Sequence, residues 1–288
     1  MGRIVTRRPV LKIALGHPPV RRADALAVEE PLEIRVGGAP LAVTMRTPGN
    51  DVELAAGFLV SEGVIAEGAE LHSAIHCGGP GAGGVENTYN VLDVTLAPGV
   101  APPSPELRRE FYTTSSCGVC GKASIDAVRT VSRYDLDDTA SVTARSLTEF
   151  PTRLREHQSA FDKTGGLHAA ALFDAESGEM LVLREDVGRH NAVDKVIGWA
   201  LLENRLPLRG TVLQVSGRAS FELVQKAAMA GIPILAAVSA PSSLAAELAD
   251  SLGLTLVGFL RGRSMNVYTH AERVGVDAAD AWQREGTA

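Results

Sequence analysis

The sequence predicts an α/β protein: a mixed sheet covered by helices, preceded by a smaller β-rich region. Three observations carry this. From about residue 164 onward, strand-like and helix-like segments of ordinary length alternate, which implies crossover connections and parallel strands covered on both faces. Residues 233–238 (Pro-Ile-Leu-Ala-Ala-Val) form an apolar run without alternation, as expected of a strand buried on both sides. The first hundred residues instead show period-two patterning and glycine turns.

In chain order, residues 31–36 and 41–47 read as strands around Gly37 and Gly38, a hairpin signal. Residues 52–62 have helical spacing and Gly63 stands where the helix would stop. Residues 76–87 are glycine-rich and aperiodic, hence a loop, and 90–96 alternate like a strand. Residues 97–105 hold four prolines and read as a linker. The chain therefore divides into a β-rich N-terminal domain with its linker, 1–105, and an α/β domain, 106–288. In the second, 123–131 and 146–161 are helices, 167–173 and 180–184 strands, and 191–203 a helix. Strand 211–215, helix 220–230, strand 233–238, helix 243–252 and strand 254–259 follow. The α-β-β-α-β-α-β order resembles the cytidine-deaminase-like mixed sheet.

A net charge of −6 argues against broad contact with a phosphate backbone, so no nucleic-acid partner is expected. No apolar run is long enough to span a bilayer or to serve as a secretion signal, and the expectation is a cytoplasmic protein with no membrane partner. The three cysteines, Cys77, Cys117 and Cys120, are too few for a disulfide framework. They are inert core thiols, metal ligands or reagents.

Two sets of residues carry chemistry. The first is three strand ends: 216–220 after strand 211–215, 239–243 after 233–238, and 260–264 after 254–259. Ligands bind beyond the C-terminal ends of strands in such sheets. Two of these segments open helices with serine at the N-cap, where free N–H groups meet anions. Arg218, Arg261 and Arg263 lie among them, and each loop taken singly is an ordinary glycine- and serine-bearing turn. Together they point to a phosphorylated ligand. No Walker or strict dinucleotide-binding glycine pattern occurs.

The second set is Ser-Ser-Cys-Gly-Val-Cys-Gly at 115–121. Helix-terminal N–H groups and Lys122 would favour thiolate at this pair. Three readings stay open on the residues alone. A zinc site would need ligands beyond one Cys-x-x-Cys, with His76 and Cys77 the available ones. A thioredoxin-like redox pair would follow an early strand, whereas this pair follows a proline-rich linker. Sulfur or acyl chemistry would need one nucleophilic cysteine and an assisting second.

Residues 115–125 resemble the signature of the FdhD family, the formate dehydrogenase accessory sulfurtransferases. So do Phe-Leu-Val-Ser-Glu-Gly at 58–63, Thr-Gly-Gly-Leu-His at 164–168, Arg-Glu-Asp-Val-Gly-Arg-His-Asn at 184–191, and residues 257–270. The resemblance implies the following. A cysteine desulfurase passes persulfide sulfur to Cys117, assisted by Cys120. The protein then delivers it to the bis-molybdopterin guanine dinucleotide form of the molybdenum cofactor for formate dehydrogenase. Phe259, Leu260, Arg261, Gly262, Arg263 and Ser264 match the family's cofactor-binding segment, a guanine nucleotide could mimic the cofactor, and the deaminase-like topology is the family's. The protein itself is expected to hold no metal and to form a homodimer. A non-catalytic molybdenum-cofactor chaperone is the alternative, with a zinc-dependent hydrolase more distant. Arg184, Asp186, Arg189 and His190 read as helix capping and ion pairing with a lean toward ligand contact. His168, Trp199 and Phe221 read as core.

Overall fold

The computed structural model describes residues 4–77, 89–103, 132–136 and 139–277. Cys117 and Cys120, the expected helix 123–131 and most of the glycine-rich loop lie outside them.

The chain opens with two strands, β1 (Val5–Lys12) and β2 (Val20–Ala27), paired antiparallel as a separate two-stranded ribbon. Next come β3 (Glu30–Val36) and β4 (Ala39–Arg46), the expected hairpin. With β5 (Leu71–His76) and β6 (Val91–Leu96) they form a sheet of order β4-β3-β6-β5. Strand β3 buries Leu32, Ile34 and Val36 in strict alternation, so one face of this sheet meets the core. Between β4 and β5 lies α1 (Asp51–Ser61).

The second sheet has six strands in the order β13-β12-β11-β10-β8-β9. They are β8 (His168–Asp174), β9 (Met180–Asp186), β10 (Thr211–Val215), β11 (Ile234–Ala237), β12 (Thr255–Arg261) and β13 (Ser264–Thr269). Pairs β10–β11 and β11–β12 are parallel, and β8, β9 and β13 are antiparallel to their neighbours. The mixed α/β class is therefore as expected. A short pair, β7 (Val142–Thr143) with β14 (Val274–Gly275), joins distant parts of the chain.

On one face of the large sheet, α2 (Ala144–Glu156) buries Leu147, Phe150 and Leu154 against Ala169, Ala171 and Phe173, with Phe150 and Phe173 stacked at 4.1 Å. On the other lie α4 (Arg189–Leu202), α5 (Phe221–Met229) and α6 (Ser243–Leu252). Helix α4 is buried from Asn191 to Gly198. It has no solvent-exposed polar face, because it is held between the large sheet and α1. One hydrophobic cluster therefore runs from Leu32 and Leu92 of the first sheet through α1 and α4 to Leu213 and Leu256 of the second.

Four expectations need correction. No strand was expected before residue 31, and residues 5–27 form the β1–β2 ribbon. The single helix expected over 146–161 is two, α2 and α3 (Ser159–Thr164). Its break has a cause: the Glu185 carboxylate accepts from the N–H groups of Ala160 and Phe161 (2.9 and 2.8 Å) and starts α3 independently. Strand β5 was not expected. Nor was β13, so the strand ending at residue 259 is not the last of its sheet.

Buried charge pins the two sheets together. Asp186 is fully buried and accepts from Thr47 N (3.1 Å), Gly188 N (2.8 Å), Asn191 Nδ2 (2.9 Å) and Lys195 Nζ (2.7 Å). Lys195 also donates to Thr47 O at 3.0 Å. Removing one partner of such a pair leaves an uncompensated charge, which costs about 3–5 kcal/mol. Lys195→Met should lose about that much in urea unfolding. A change below about 1 kcal/mol would mean that Asp186 finds another cation or becomes protonated.

Candidate functional site

Strands β10, β11 and β12 run parallel, so their C-terminal ends share one edge, and the segments beyond them touch. Ser239 N donates to Gly217 O (3.3 Å), Ser242 N to Ala219 O (3.1 Å) and Phe259 N to Ser239 O (3.2 Å). Ala219 and Pro241 form a parallel bridge. The convergence expected from the sequence is thus observed.

The two serine caps differ. Ser242 accepts from Ala245 N at 3.2 Å and caps α6 in the ordinary way. Ser220 makes no such bond; its Oγ lies 3.3 Å from His190 Nε2 and donates to Glu222 Oε2 at 3.4 Å. Gly188 precedes α4 and has no side chain with which to cap it. The N-termini of α4 and α5 therefore meet here without side-chain caps, a setting that favours anions.

Phe259, Leu260 and Arg261 still belong to β12, and Gly262 and Arg263 form a two-residue turn into Ser264 of β13. Arg261 pairs with Ser264 across it. Gly262 has φ +58°, which a tight hairpin needs at the first turn position and glycine supplies without strain. Phe259 has φ +52° where the strand register shifts, and the Arg261 guanidinium stacks over its ring at 5.5 Å. Leu260 is buried in the α2-side cluster and faces away from solvent. Arg218, Arg261, Gly262, Arg263 and Ser264 are exposed. The expected loop is thus a tight hairpin presenting two arginines.

Next to this edge lies a cavity of about 550 Å³ between β4, α1, α4 and α5. Its apolar wall includes Ile34, Val43, Met45 and Phe58; its polar wall includes Glu29, Glu62, Arg189, His190, Glu222 and Lys226. Lys226 is paired with the buried Asp194 at 2.8 and 2.9 Å, and its pKa rises with that pairing although burial opposes it. His190 Nε2 lies 2.8 Å from Glu222 Oε2, and this hydrogen bond, more than any other contact, holds the Glu222 carboxyl below its usual range. Arg189 Nε is a buried nitrogen with no hydrogen-bond partner. Burial first, then the charges of Arg189 and His190, push His168 below its ordinary 6.5.

Of the weaker candidates, Arg184 is committed to Glu53 in a bidentate pair (2.6 and 2.8 Å) and Asp186 to the buried network, so the ion-pair reading describes both. Phe221 is core, Trp199 is packed against the core, and His168 is only half-buried. Glu222 and Lys226 were not singled out. On one helix they read as an ordinary acidic first turn and basic last turn, and nothing in sequence brings them to residues 189 and 194.

The FdhD/NarQ family model matches residues 27–275. This chain belongs to the FdhD/NarQ family. Among its relatives, "Sulfur carrier protein FdhD" of Mycolicibacterium paratuberculosis is 62% identical over 273 residues, covering 94% of this chain and 99% of that one. The protein of the same name from Streptomyces avermitilis is 61% identical over 283 residues, 98% and 99% of the two chains. Among solved structures, a formate dehydrogenase accessory protein from Desulfotalea psychrophila superposes with a TM-score of 0.75. It is 25% identical, with 94% of this chain and 100% of that chain covered. This FdhD/NarQ chain has no helix among its described residues that is long and apolar enough to cross a membrane.

Proposed function

We propose that the chain is a sulfur carrier that accepts sulfur on Cys117 as a persulfide and passes it to the molybdenum cofactor destined for formate dehydrogenase. The observation that carries this reading is 62% identity, across 94% of the chain, to proteins named as sulfur carriers. The Cys-Gly-Val-Cys segment at 117–120 supplies the sulfur atoms the role requires. The donor is a cysteine desulfurase. The Cys117 thiolate attacks the outer sulfur of the donor's persulfide, the donor's S–S bond breaks, and its cysteine leaves as thiolate. Cys120 assists the onward transfer. The test is incubation with a desulfurase and labelled cysteine. Protein-bound label supports a carrier, and its absence would leave only a cofactor-binding chaperone.

The client is bis-molybdopterin guanine dinucleotide, whose pyrophosphate and guanine suit the edge described above. Arg218, Arg261 and Arg263 are exposed on the segments beyond the strand ends, the starts of α4 and α5 lack side-chain caps, and Arg189 has an unpartnered Nε. The molybdenum is cargo, and no group of protein ligands is asked to hold it. Arg261→Ala or Arg263→Ala should weaken GDP binding about tenfold by calorimetry, the value for one charge-assisted hydrogen bond. Because both arginines are exposed, added salt should weaken wild-type binding as well. Sulfur loading should persist in both variants. Unchanged GDP affinity in both would move the cofactor to another face.

A further inference from the structure

By its pattern His168 is a core residue; the sheet instead carries it to the ligand edge. Strand β8 runs antiparallel to β10, with Ala170 opposite Val215. The start of β8 therefore lies where β10 ends, and His168 is its first residue. On its other side His168 stands opposite Asp186 of β9, after which the chain enters α4 at Arg189. Gly217, just past β10, is flanked by both side chains: a Cβ there would lie 3.5 Å from His168 Nδ1 and 3.8 Å from Arg189 Cδ. Gly217 O accepts from Ser239 N, which ties the pair to the converging strand-end segments. Elements distant in sequence thus bring an imidazole and a guanidinium together.

Neither group is satisfied by the protein alone. Arg189 Nε is buried without a hydrogen-bond partner, a donor that has lost water and gained nothing. His168 is half-buried, and burial, Arg189 and His190, in that order, all oppose its charged form. Asp186 favours that form, but its carboxylate is committed to Lys195 and three further donors. Glu222 lies beyond, paired with His190. One anion here would meet both demands: an acceptor for Arg189 Nε and a negative charge that reverses the balance at His168.

We propose, on the reading that a phosphorylated cargo occupies this edge, that His168 and Arg189 together receive one of its phosphate groups. His168 takes up a proton from solvent as the phosphate binds. The hold is therefore conditional. Arginines attract phosphate at any ordinary pH, whereas the share of His168 exists only while the proton does. A carrier must also let go, and loss of one proton removes one of the charges facing the cargo.

Linkage fixes the sign. A group that holds its proton more tightly in the complex raises affinity at low pH, and that gain is lost as pH rises. The ratio of wild-type to His168→Gln affinity for GDP should therefore fall between about pH 6 and pH 8. The fall should be roughly tenfold or more, the effect of an opposite charge within about 4–6 Å of a titrating group. A merely structural role for His168 would leave the ratio constant. The terminal phosphate of GDP itself titrates near about pH 6, but it does so with both chains and cancels in the ratio.

The experiment is calorimetric titration of the full chain with GDP across this range, with the titration at about pH 7 repeated in buffers of different ionisation enthalpy. The slope of observed heat against that enthalpy counts protons taken up, and it should be larger for wild type than for His168→Gln. Thermal unfolding checks that the variant folds, and His168→Asn takes its place if it does not. GDP that fails to bind wild type would overturn the reading of the edge and this inference with it. GDP that binds with equal proton uptake in both chains, or with an affinity ratio independent of pH, would overturn this inference alone.

Discussion

Gly57→Ala and Gly198→Ala chains are each expected to lose their cooperative thermal transition or to be recovered only as aggregate. The two glycines face each other where α1 crosses α4. A Cβ at Gly57 would lie 1.8 Å from the Asp194 carbonyl oxygen, and one at Gly198 the same 1.8 Å from that of Glu53. Both obstacles are backbone, so no rotamer change relieves them. The helices must separate instead, and they carry Leu54, Leu59, Val193 and Ile197 at the centre of the shared cluster. Overpacking a core ordinarily costs about 1–3 kcal/mol where side chains can adjust. Here they cannot, and a native state of about 5–15 kcal/mol has little to spare. The control is Gly166→Ala, where the nearest atom would be 3.8 Å away. Loss of structure should occur in the first two and not in the third. A Gly198→Ala protein that melts like wild type would mean that the crossing has room the structure does not show.

The glycine contact illustrates what the sequence carried and what it did not. Both helices were legible, yet propensity alone makes Gly57 and Gly198 weak points that alanine would improve. Their value lies wholly in a neighbour more than a hundred residues away. Strands β8 to β12 were legible to within three residues at each end, because each is apolar and bounded by turn residues. Strand β13 was not, because its alternating Met265 and Val267 lie in a segment read for its arginines. The β1–β2 ribbon was not, because its arginines come as adjacent pairs, Arg7-Arg8 and Arg21-Arg22, which break the alternation, and no residue of either strand is fully buried. The strand edge was legible because parallel topology fixes where strand ends go. The cavity was not, since Glu29, Glu62, Arg189 and Glu222 come from separate elements with no common spacing.

Cys117→Ala is expected to reduce sulfur loading to background. Loading requires a thiolate that attacks a persulfide sulfur and retains it covalently, and alanine removes the atom that forms the bond. Cys120 is not an equivalent replacement on this reading, because it assists transfer after loading. Cys120→Ala should therefore still gain the mass of one sulfur when incubated with a desulfurase and cysteine, yet release it to acceptor more slowly. Cys77 lies at the end of β5, exposed, with its thiol directed at Ile75 O (3.8 Å), and Cys77→Ser should load like wild type. Whole-protein mass spectrometry on the three variants separates these outcomes, because each predicts a different pattern of adduct against time. Thermal unfolding should be unchanged in Cys117→Ala, so a loss of loading can be assigned to chemistry rather than to folding. Wild-type loading of Cys117→Ala would place the receiving sulfur elsewhere. If Cys120→Ala were then the variant that fails, the two cysteines would exchange roles and the scheme would otherwise stand; if neither failed, the covalent carrier reading would fall.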